Sequence, residues 1–335
     1  MGGLPVHDLV IKCSRGEYIV KFISNKEECL NLGTHFIIDK NVVNHLPYIP
    51  HNSLIIESTE KAKAYENILP LIQQLANSGL KRNSKICGIG GGIIQDITCW
   101  VATTYMRGVS WTFVPTTLLA QADSCIGSKS SINLKSFKNI LGSFNPPEEV
   151  VIDTSFLSTL TEGEIKSGLS EIVKLKIING DSSDSIHKAI NKRNFDYLVF
   201  TALQIKKLFI EEDEFDRGIR NILNYGHCFG HAIESCTKFK IPHGVAVAMG
   251  MDIANYLMDE TFAERFHPML HSLYSDYNGV PLNIINILKA MKHDKKNTSS
   301  NLSIIVPVEN TFRKKEFLVD EIKFCLPRLL KVLER

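Results

Sequence analysis

The chain has 335 residues, of which 44% are hydrophobic and 22% charged, with a formal net charge of +2. That is the profile of an ordinary globular protein long enough for two domains, and so small a net charge gives no bulk attraction to nucleic acid or to an anionic membrane. The opening MGGLPVHDLV has no basic segment followed by an apolar core, no apolar run reaches membrane-spanning length, and the eight scattered Cys form no C-x-x-C pair, so a cytoplasmic protein with reduced thiols is expected.

In chain order, residues 10–13 and 17–22 are predicted as a hairpin closed around Ser14, Arg15 and Gly16. Short strands are predicted at 35–38 and 53–57, and a helix at 61–78 from the spacing of Ile68, Leu69, Ile72, Leu75 and Ala76. A buried-type strand at 85–89 runs into Gly90, Gly91 and Gly92, followed by a helix over 94–104 and strands at 111–114 and 149–152. Residues 124–143, rich in Ser, Gly and Lys, read as a long polar loop, and loops of that length in a compact domain are usually functional. Beyond residue 153 the character changes: helices are predicted at 162–179, 196–212, 219–237, 245–258 and 319–332, with one strand at 302–306. Strands alternating with helices imply a mainly parallel sheet covered on both faces. The fold expected is therefore a Rossmann-like α/β nucleotide-binding domain over 1–153, followed by an α-helical metal- and substrate-binding domain over 154–335.

Three glycines between a strand and a helix let a backbone approach a diphosphate, and the helix start supplies free N–H groups. The stretch is no G-x-G-x-x-G match, because Ile93 or Gln95 occupies the place of the last Gly, and a tight strand-to-helix turn would also account for it. Asp96, one turn into an apolar helix, could hold a cofactor hydroxyl.

His227 and His231 are four apart in a helical pattern with Ile222, Leu223, Phe229 and Ile233, so one face carries both imidazoles, with Arg220 and Asn224 roughly aligned behind them. Such a pair alone is common on protein surfaces. His243, between Pro242 and Gly244, is expected in a turn ahead of the next helix. Glu171 lies among Ile172, Val173 and Leu175, where a carboxylate needs a partner, and Lys174 shares its helix face. Glu171, His227 and His243 around an open fourth position describe a catalytic zinc-type site, leaving His231 for proton transfer or phosphate binding. Arg107, Lys129, Lys138, Lys174, Lys206, Arg220 and the Lys295–Lys296 pair are each explicable as a solvated charge. Together they match what a phosphate and a carboxylate require.

The runs GGGIIQDITCWVATTYMRG, PTTLLAQADSCIGSKSSIN, KNILGSFNPP, SGLSEIVK and RNILNYGHCFGHAIE resemble dehydroquinate synthase and its sugar phosphate cyclase relatives, in order from about residue 57 to residue 296. The resemblance implies a zinc or cobalt ion held by Glu171, His227 and His243. It implies NAD held by Asp39, Glu60, Lys63, Gly91, Gly92, Asp96, Thr116, Thr117, Lys129, Lys138, Phe156 and Thr159. Substrate positions are Asp123, Lys138, Asn139, Lys206 and Lys296, with Lys174, His231, Asn224, Lys129 and Arg220 in catalytic roles. Arg107 matches an arginine that reaches into the partner subunit's site, which implies a homodimer.

The reaction so implied is a phosphate-eliminating cyclisation of 3-deoxy-arabino-heptulosonate 7-phosphate to 3-dehydroquinate. A ring alcohol is transiently oxidised by NAD⁺ with metal assistance, phosphate leaves by β-elimination, the hydride returns, and an intramolecular aldol closes the carbocycle. Lys206, Asn224 and His231 keep dehydroquinate-type identities, which favours a substrate with a carboxylate. The sequence also departs from the family: Gln95 stands where Gly is usual, beside the expected pyrophosphate path, so a change in cofactor fit is expected there. Ser128 replaces a second usual Gly, and Thr98, Cys99 and Trp100 continue the helix atypically. Alternatives are a sibling cyclase acting on another phosphosugar such as sedoheptulose 7-phosphate, a metal-dependent polyol dehydrogenase, or a non-catalytic binding protein. A polyol offers no phosphate to Lys129, Lys138 and Arg220.

Overall fold

The structure, a computed structural model, describes residues 7–135, 137–293, 300–309 and 311–334. Two compact units divide the chain, one of Met1–Leu160 with Phe195–Phe215 and the other of Thr161–Asn194 with Asp216–Arg335.

The first unit is built on a sheet. Strands β1 (Leu9–Cys13), β2 (Gly16–Phe22), β3 (His35–Asp39) and β4 (Ser53–Ile56) are followed by helix α1 (Tyr65–Asn77), β5 (Lys85–Gly90), α2 (Gly92–Thr104) and β6 (Ser110–Pro115). The ribbon β7 (Lys129–Leu134) and β8 (Phe137–Phe144) precedes β9 (Glu149–Ile152). Seven strands join in the order β1-β2-β9-β6-β5-β3-β4. Only the β1–β2 hairpin is antiparallel; every other neighbouring pair runs parallel. Every residue of β3 is buried, as are Ile86 to Gly90 of β5, which is why these strands read as continuous apolar runs rather than alternating ones.

The pairs Ile38↔Ile89 and Gly90↔Pro115 bring the carboxyl ends of β3, β5 and β6 side by side. From β3 the chain steps outward to β4, then returns to β5 and continues to β6 on the other side, so the strand order reverses between β3 and β5. In an open parallel sheet that reversal opens a crevice at the strand ends, the usual place for a ligand.

The polar stretch expected as a loop is largely regular. Strands β7 and β8 pair from Lys129↔Phe144 to Leu134↔Phe137. Side chains of Asn133, Asn139 and Ser143 bond to Glu60, Lys63 and Thr103 on other elements of the unit, so polarity does not prevent a strand there.

Helices α3 (Glu162–Ile178) and α4 (Ser183–Asn191) open the second unit. Helix α5 (Phe195–Glu212), read from sequence as part of the second domain, instead packs with the first unit, against β1 and the turn at Ala120–Ser124. The chain then continues through α6 (His227–Cys236), α7 (His243–Met258), α8 (Glu260–Tyr274), α9 (Ile284–His293), the β10 (Asn301–Val308)–β11 (Thr311–Leu318) hairpin and α10 (Val319–Val332). The charged sequence of β11 had concealed it as a strand.

Helix α7 is the axis of this unit. All of its residues from Gly244 to Tyr256 are buried, and α3, α6, α8 and β10 pack around it. Its buried Asp252 accepts hydrogen bonds from Tyr274 Oη at 2.5 Å and His267 Nδ1 at 2.6 Å, and Asn255 Oδ1 accepts from Tyr225 Oη at 2.5 Å.

Two expectations about the histidine region are corrected. The helix over 219–237 is not continuous: a 3-10 turn at Ile219–Asn224 ends before Gly226, whose φ of 79° breaks the path ahead of α6. Gly226 also lies against α7, where a Cβ would come within 2.6 Å of the Val247 carbonyl oxygen. His243 is the first residue of α7 rather than part of a turn ahead of it. Among the described residues no helix is long and apolar enough to cross a membrane.

Candidate active site

In the first unit, the ends of β3, β5 and β6 gather residues that are far apart in sequence. Gly91 precedes α2 in extended backbone with no side-chain cap, so the first N–H groups of α2 are open to an anion. A Cβ on Gly91 would press to 3.0 Å on Thr117 Cγ2, so the residue must be small for the turn to pack there. Thr116 donates its backbone N–H to Gly90 O at 2.9 Å, extending the β5–β6 pairing into this turn. Asp39, buried at the end of β3, accepts the Asn41 N–H at 2.9 Å. Phe156 is buried in the core cluster beneath the sheet, and Thr159 Oγ1 donates to its carbonyl at 2.8 Å.

A polar network ties α2 to the β7–β8 ribbon. Lys63 is buried, with Nζ 2.7 Å from Asp96 Oδ2 and 2.9 Å from Asn139 Oδ1. Asp96 Oδ1 accepts the Ser131 N–H at 2.9 Å, and Ser131 Oγ donates to Asn139 Oδ1 at 2.9 Å. Asn133 donates to Glu60 Oε1 at 2.8 Å and accepts the Asn139 N–H at 2.9 Å. Burial raises the Asp96 carboxyl above its usual range, against the pull of the Lys63 ammonium. Lys129 and Lys138 are exposed on the same ribbon. Ser131 and Asn133 were not singled out from the sequence, and Asn133 sits at an irregularity of the β7–β8 pairing between Ile132 and Leu134.

Gln95 stands where a change in cofactor fit is expected. It is buried, its Nε2 donates to Ser124 O at 2.6 Å, and its Oε1 accepts from Ser124 Oγ at 2.6 Å. Both ends of the amide are engaged by Ser124. Next to it, Lys206 on α5 is buried and reaches the Asp123 carbonyl at 2.5 Å and Oδ1 at 2.9 Å. Arg107 is exposed in a turn after α2, in left-handed backbone with φ 68°.

In the second unit, α3, α6 and the start of α7 bring together Glu171, His227, His231 and His243. Glu171 is fully buried, with Oε1 3.7 Å from His227 Nε2 and 3.6 Å from His243 Nε2. The ligand atoms of His227, His231 and His243 all lie within 4.8 Å of one another, with His231 on the exposed side. The outer nitrogens are oriented by groups that can only accept. His227 Nδ1 lies 3.2 Å from Tyr225 O, and His243 Nδ1 lies 3.0 Å from Glu234 Oε2. Each Nδ1 therefore carries a proton, which points Nε2 of both rings toward the carboxylate, the usual arrangement of metal-binding imidazoles.

Burial disfavours the Glu171 carboxylate, but Lys174, ion-paired with it, and the two imidazoles outweigh burial and hold Glu171 well below the usual range. His227 is held well below its ordinary value by burial and by Lys174, so it stays neutral. Desolvation pulls His243 down, yet Glu171 and Glu234 raise it to about 10. Glu171 Oε2 is paired with the Lys174 ammonium, which leaves Oε1 facing the two imidazole nitrogens. A small divalent cation fits this donor set: one carboxylate oxygen and two or three imidazoles, with the Nδ1 protons already committed elsewhere.

Arg220 is buried on the 3-10 turn before α6, and Asn224 Nδ2 donates to Asn221 O at 2.9 Å on the same turn. Lys296 and its neighbour Lys295 lie outside the described residues. Glu234 and Tyr225 were missed in the sequence. The signal for Glu234 was its place seven residues after His227 and three after His231, on the same helix face.

Two family models cover most of the chain: 3-dehydroquinate synthase N-terminal over residues 53–167 and 3-dehydroquinate synthase C-terminal over residues 168–297. A 3-dehydroquinate synthase from Dictyoglomus thermophilum is 35% identical over 312 residues, covering 88% of this chain and 87% of that protein. Among solved structures, a 2-deoxy-scyllo-inosose synthase complexed with carbaglucose-6-phosphate, NAD+ and Co2+ superposes with a TM-score of 0.81 at 22% identity, covering 96% of this chain and 100% of the other. A 2-epi-5-epi-valiolone synthase from Streptomyces hygroscopicus subsp. jinggangensis 5008, with NAD+ and Zn2+ bound, gives 0.76 at 20% identity over 94% of this chain and 97% of the other. At those identities the two structures show a shared fold.

Proposed function

This chain belongs to the 3-dehydroquinate synthase family, and we propose that it converts 3-deoxy-arabino-heptulosonate 7-phosphate into 3-dehydroquinate with loss of inorganic phosphate. The observation that carries this reading is the donor set around Glu171, whose carboxylate faces His227 and His243 at 3.7 and 3.6 Å in a setting that suits a divalent cation. Zinc or cobalt would be held by Glu171, His227 and His243. NAD would be held at the strand ends and the polar network by Asp39, Glu60, Lys63, Gly91, Gly92, Asp96, Thr116, Thr117, Phe156 and Thr159, with Lys129 and Lys138 adding charge. When bound, NAD supplies reversible hydride transfer and the ion supplies Lewis-acid polarisation of a substrate oxygen.

The chain's own groups do the rest. Lys174, whose ammonium is buried beside Glu171, is a fixed positive charge that stabilises negative charge developing on a substrate hydroxyl oxygen. His231, on the exposed side of the cluster, exchanges a proton at a ring nitrogen as phosphate departs. The Arg220 guanidinium binds an anionic group through paired N–H donors, and the Asn224 amide orients a substrate oxygen. Lys206, already engaged by Asp123, with Asn139, Lys138 and Lys296, meets the remaining polar and charged groups of the phosphosugar. Arg107 serves the site of a partner subunit in a homodimer, and the protein works in the cytoplasm.

The test is phosphate release from that substrate with NAD⁺ and Zn²⁺ or Co²⁺, while absorbance of NADH is followed. The expected result is phosphate without net NADH. Release from sedoheptulose 7-phosphate alone would replace the proposal with a sibling cyclase. NADH formed in proportion to an oxidised polyol would replace it with a dehydrogenase.

A further inference from the structure

The turn at Ala120–Ser124 is a π-turn, closed by Cys125 N–H donating to Ala120 O at 3.0 Å. Two successive carbonyls on it are taken by side chains from different helices. Lys206 of α5 donates to Asp123 O, and Gln95 of α2 donates to Ser124 O. Lys206 also pairs with the Asp123 carboxylate, and Ser124 Oγ returns a hydrogen bond to Gln95 Oε1. The amide orientation follows from this pattern, because a flipped amide would set its oxygen against the Ser124 carbonyl.

We propose that Gln95 and Ser124 form a positioning clamp that holds Asp123, and the Lys206 ammonium it engages, in place for an anionic group of the phosphosugar. Gln95 therefore does not serve the dinucleotide, although it stands in the glycine turn. Its amide is buried and satisfied at both ends, and such a group is not released without leaving polar atoms unpaired. The neighbouring Asp96 belongs to a different network, with Lys63 and Ser131, so the first turn of α2 sends one polar side chain to each. The inference rests on the roles given above to Asp123 and Lys206.

The experiment uses the full chain loaded with metal and compares Ser124→Ala, Gln95→Leu and the double variant. Three quantities are read: the KM and kcat for phosphate release, NAD⁺ affinity from the quenching of tryptophan fluorescence, and deuterium exchange of the 120–125 segment. Loss of a hydrogen bond to a buried partner should raise the substrate KM by about tenfold, with a smaller change in kcat and NAD⁺ affinity within about twofold. The double variant should be little worse than either single one, since both break the same clamp. Exchange at 120–125 should quicken in every variant. An unchanged KM in an active enzyme overturns the proposal, and so does tighter NAD⁺ binding by Gln95→Leu, which would mark the side chain as an obstruction. If the wild-type chain releases no phosphate from any sugar phosphate, the functional reading fails separately. Exchange then decides the clamp: quickened, it stands as a brace on the turn; unchanged, it is overturned.

Discussion

Glu234 Oε2 and His243 Nδ1 lie 3.0 Å apart, and this contact decides which nitrogen of the His243 ring faces Glu171. A carboxylate only accepts, so the proton stays on Nδ1, and a cation binding at Nε2 would displace the second ring proton that Glu171 and Glu234 favour. Glu234→Ala should therefore weaken Zn²⁺ or Co²⁺ binding by about 10- to 100-fold while the fold persists, and Glu234→Gln should weaken it less. Metal retained after dialysis against graded chelator measures this. Retention equal to wild type would show that Glu234 does not orient the ring.

Removing either of two proposed ligands should have different consequences for stability. His243 begins α7 with about a third of its side chain exposed, so His243→Ala should lose most bound metal and activity while the protein stays folded. Glu171 is fully buried against Lys174, and Glu171→Ala removes the carboxylate paired with that buried ammonium, at a cost of about 3 kcal/mol. Melting curves of the metal-free proteins separate the two. Equal stability would show that Lys174 is relieved by some other group.

Lys63 joins Asp96 to Asn139 from a buried position. Lys63→Met should leave the Asp96 carboxylate without its cation, destabilise the protein by about 3 kcal/mol, and weaken NAD⁺ by tenfold or more. Calorimetry with NAD⁺ at a temperature where the variant is folded reads the second effect. Normal affinity there would reduce Lys63 to a structural brace.

Arg107 is exposed in a turn with two successive left-handed residues, Met106 at φ 47° and Arg107 at φ 68°, followed by Gly108 at φ 122°. If it serves a partner subunit, Arg107→Ala and His243→Ala should each be nearly inactive alone. Mixed after reversible dissociation, they should recover about a quarter of wild-type activity, since half the dimers are mixed and each has one intact site. No recovery, in mixtures shown to contain mixed dimers, would place Arg107 in its own subunit's site, and a fully active Arg107→Ala would place it outside any site.

How much of this was legible depends on where each residue's partners lie. The strand, glycine turn and helix spanning β5 and α2 were readable because a parallel strand buried on both faces is an apolar run wherever it occurs. Strands β7, β8 and β11 were not readable in this way: their polar or charged side chains give no apolar pattern, and what stabilises them is a ladder with a neighbouring strand and, for β7, bonds to Glu60 and Asp96. The break at Gly226 was hidden for a similar reason. The apolar spacing continues through it, and the close approach of α7 that requires it comes from residues near 247.

The amino-acid sequence by itself determined the chemical inventory: a glycine turn after a buried strand, three imidazoles with a buried acid, and cations suited to phosphate. Its motif order was sufficient to identify the family. Tertiary structure alone decided which nitrogens face the acid, where Gln95 spends its amide, and that α5 carries Lys206 back to Asp123 in the first unit. The reason is physical. Helix and strand periods are local and survive in any context, whereas the partner of a buried polar group is chosen by desolvation among groups that meet only when the chain has folded.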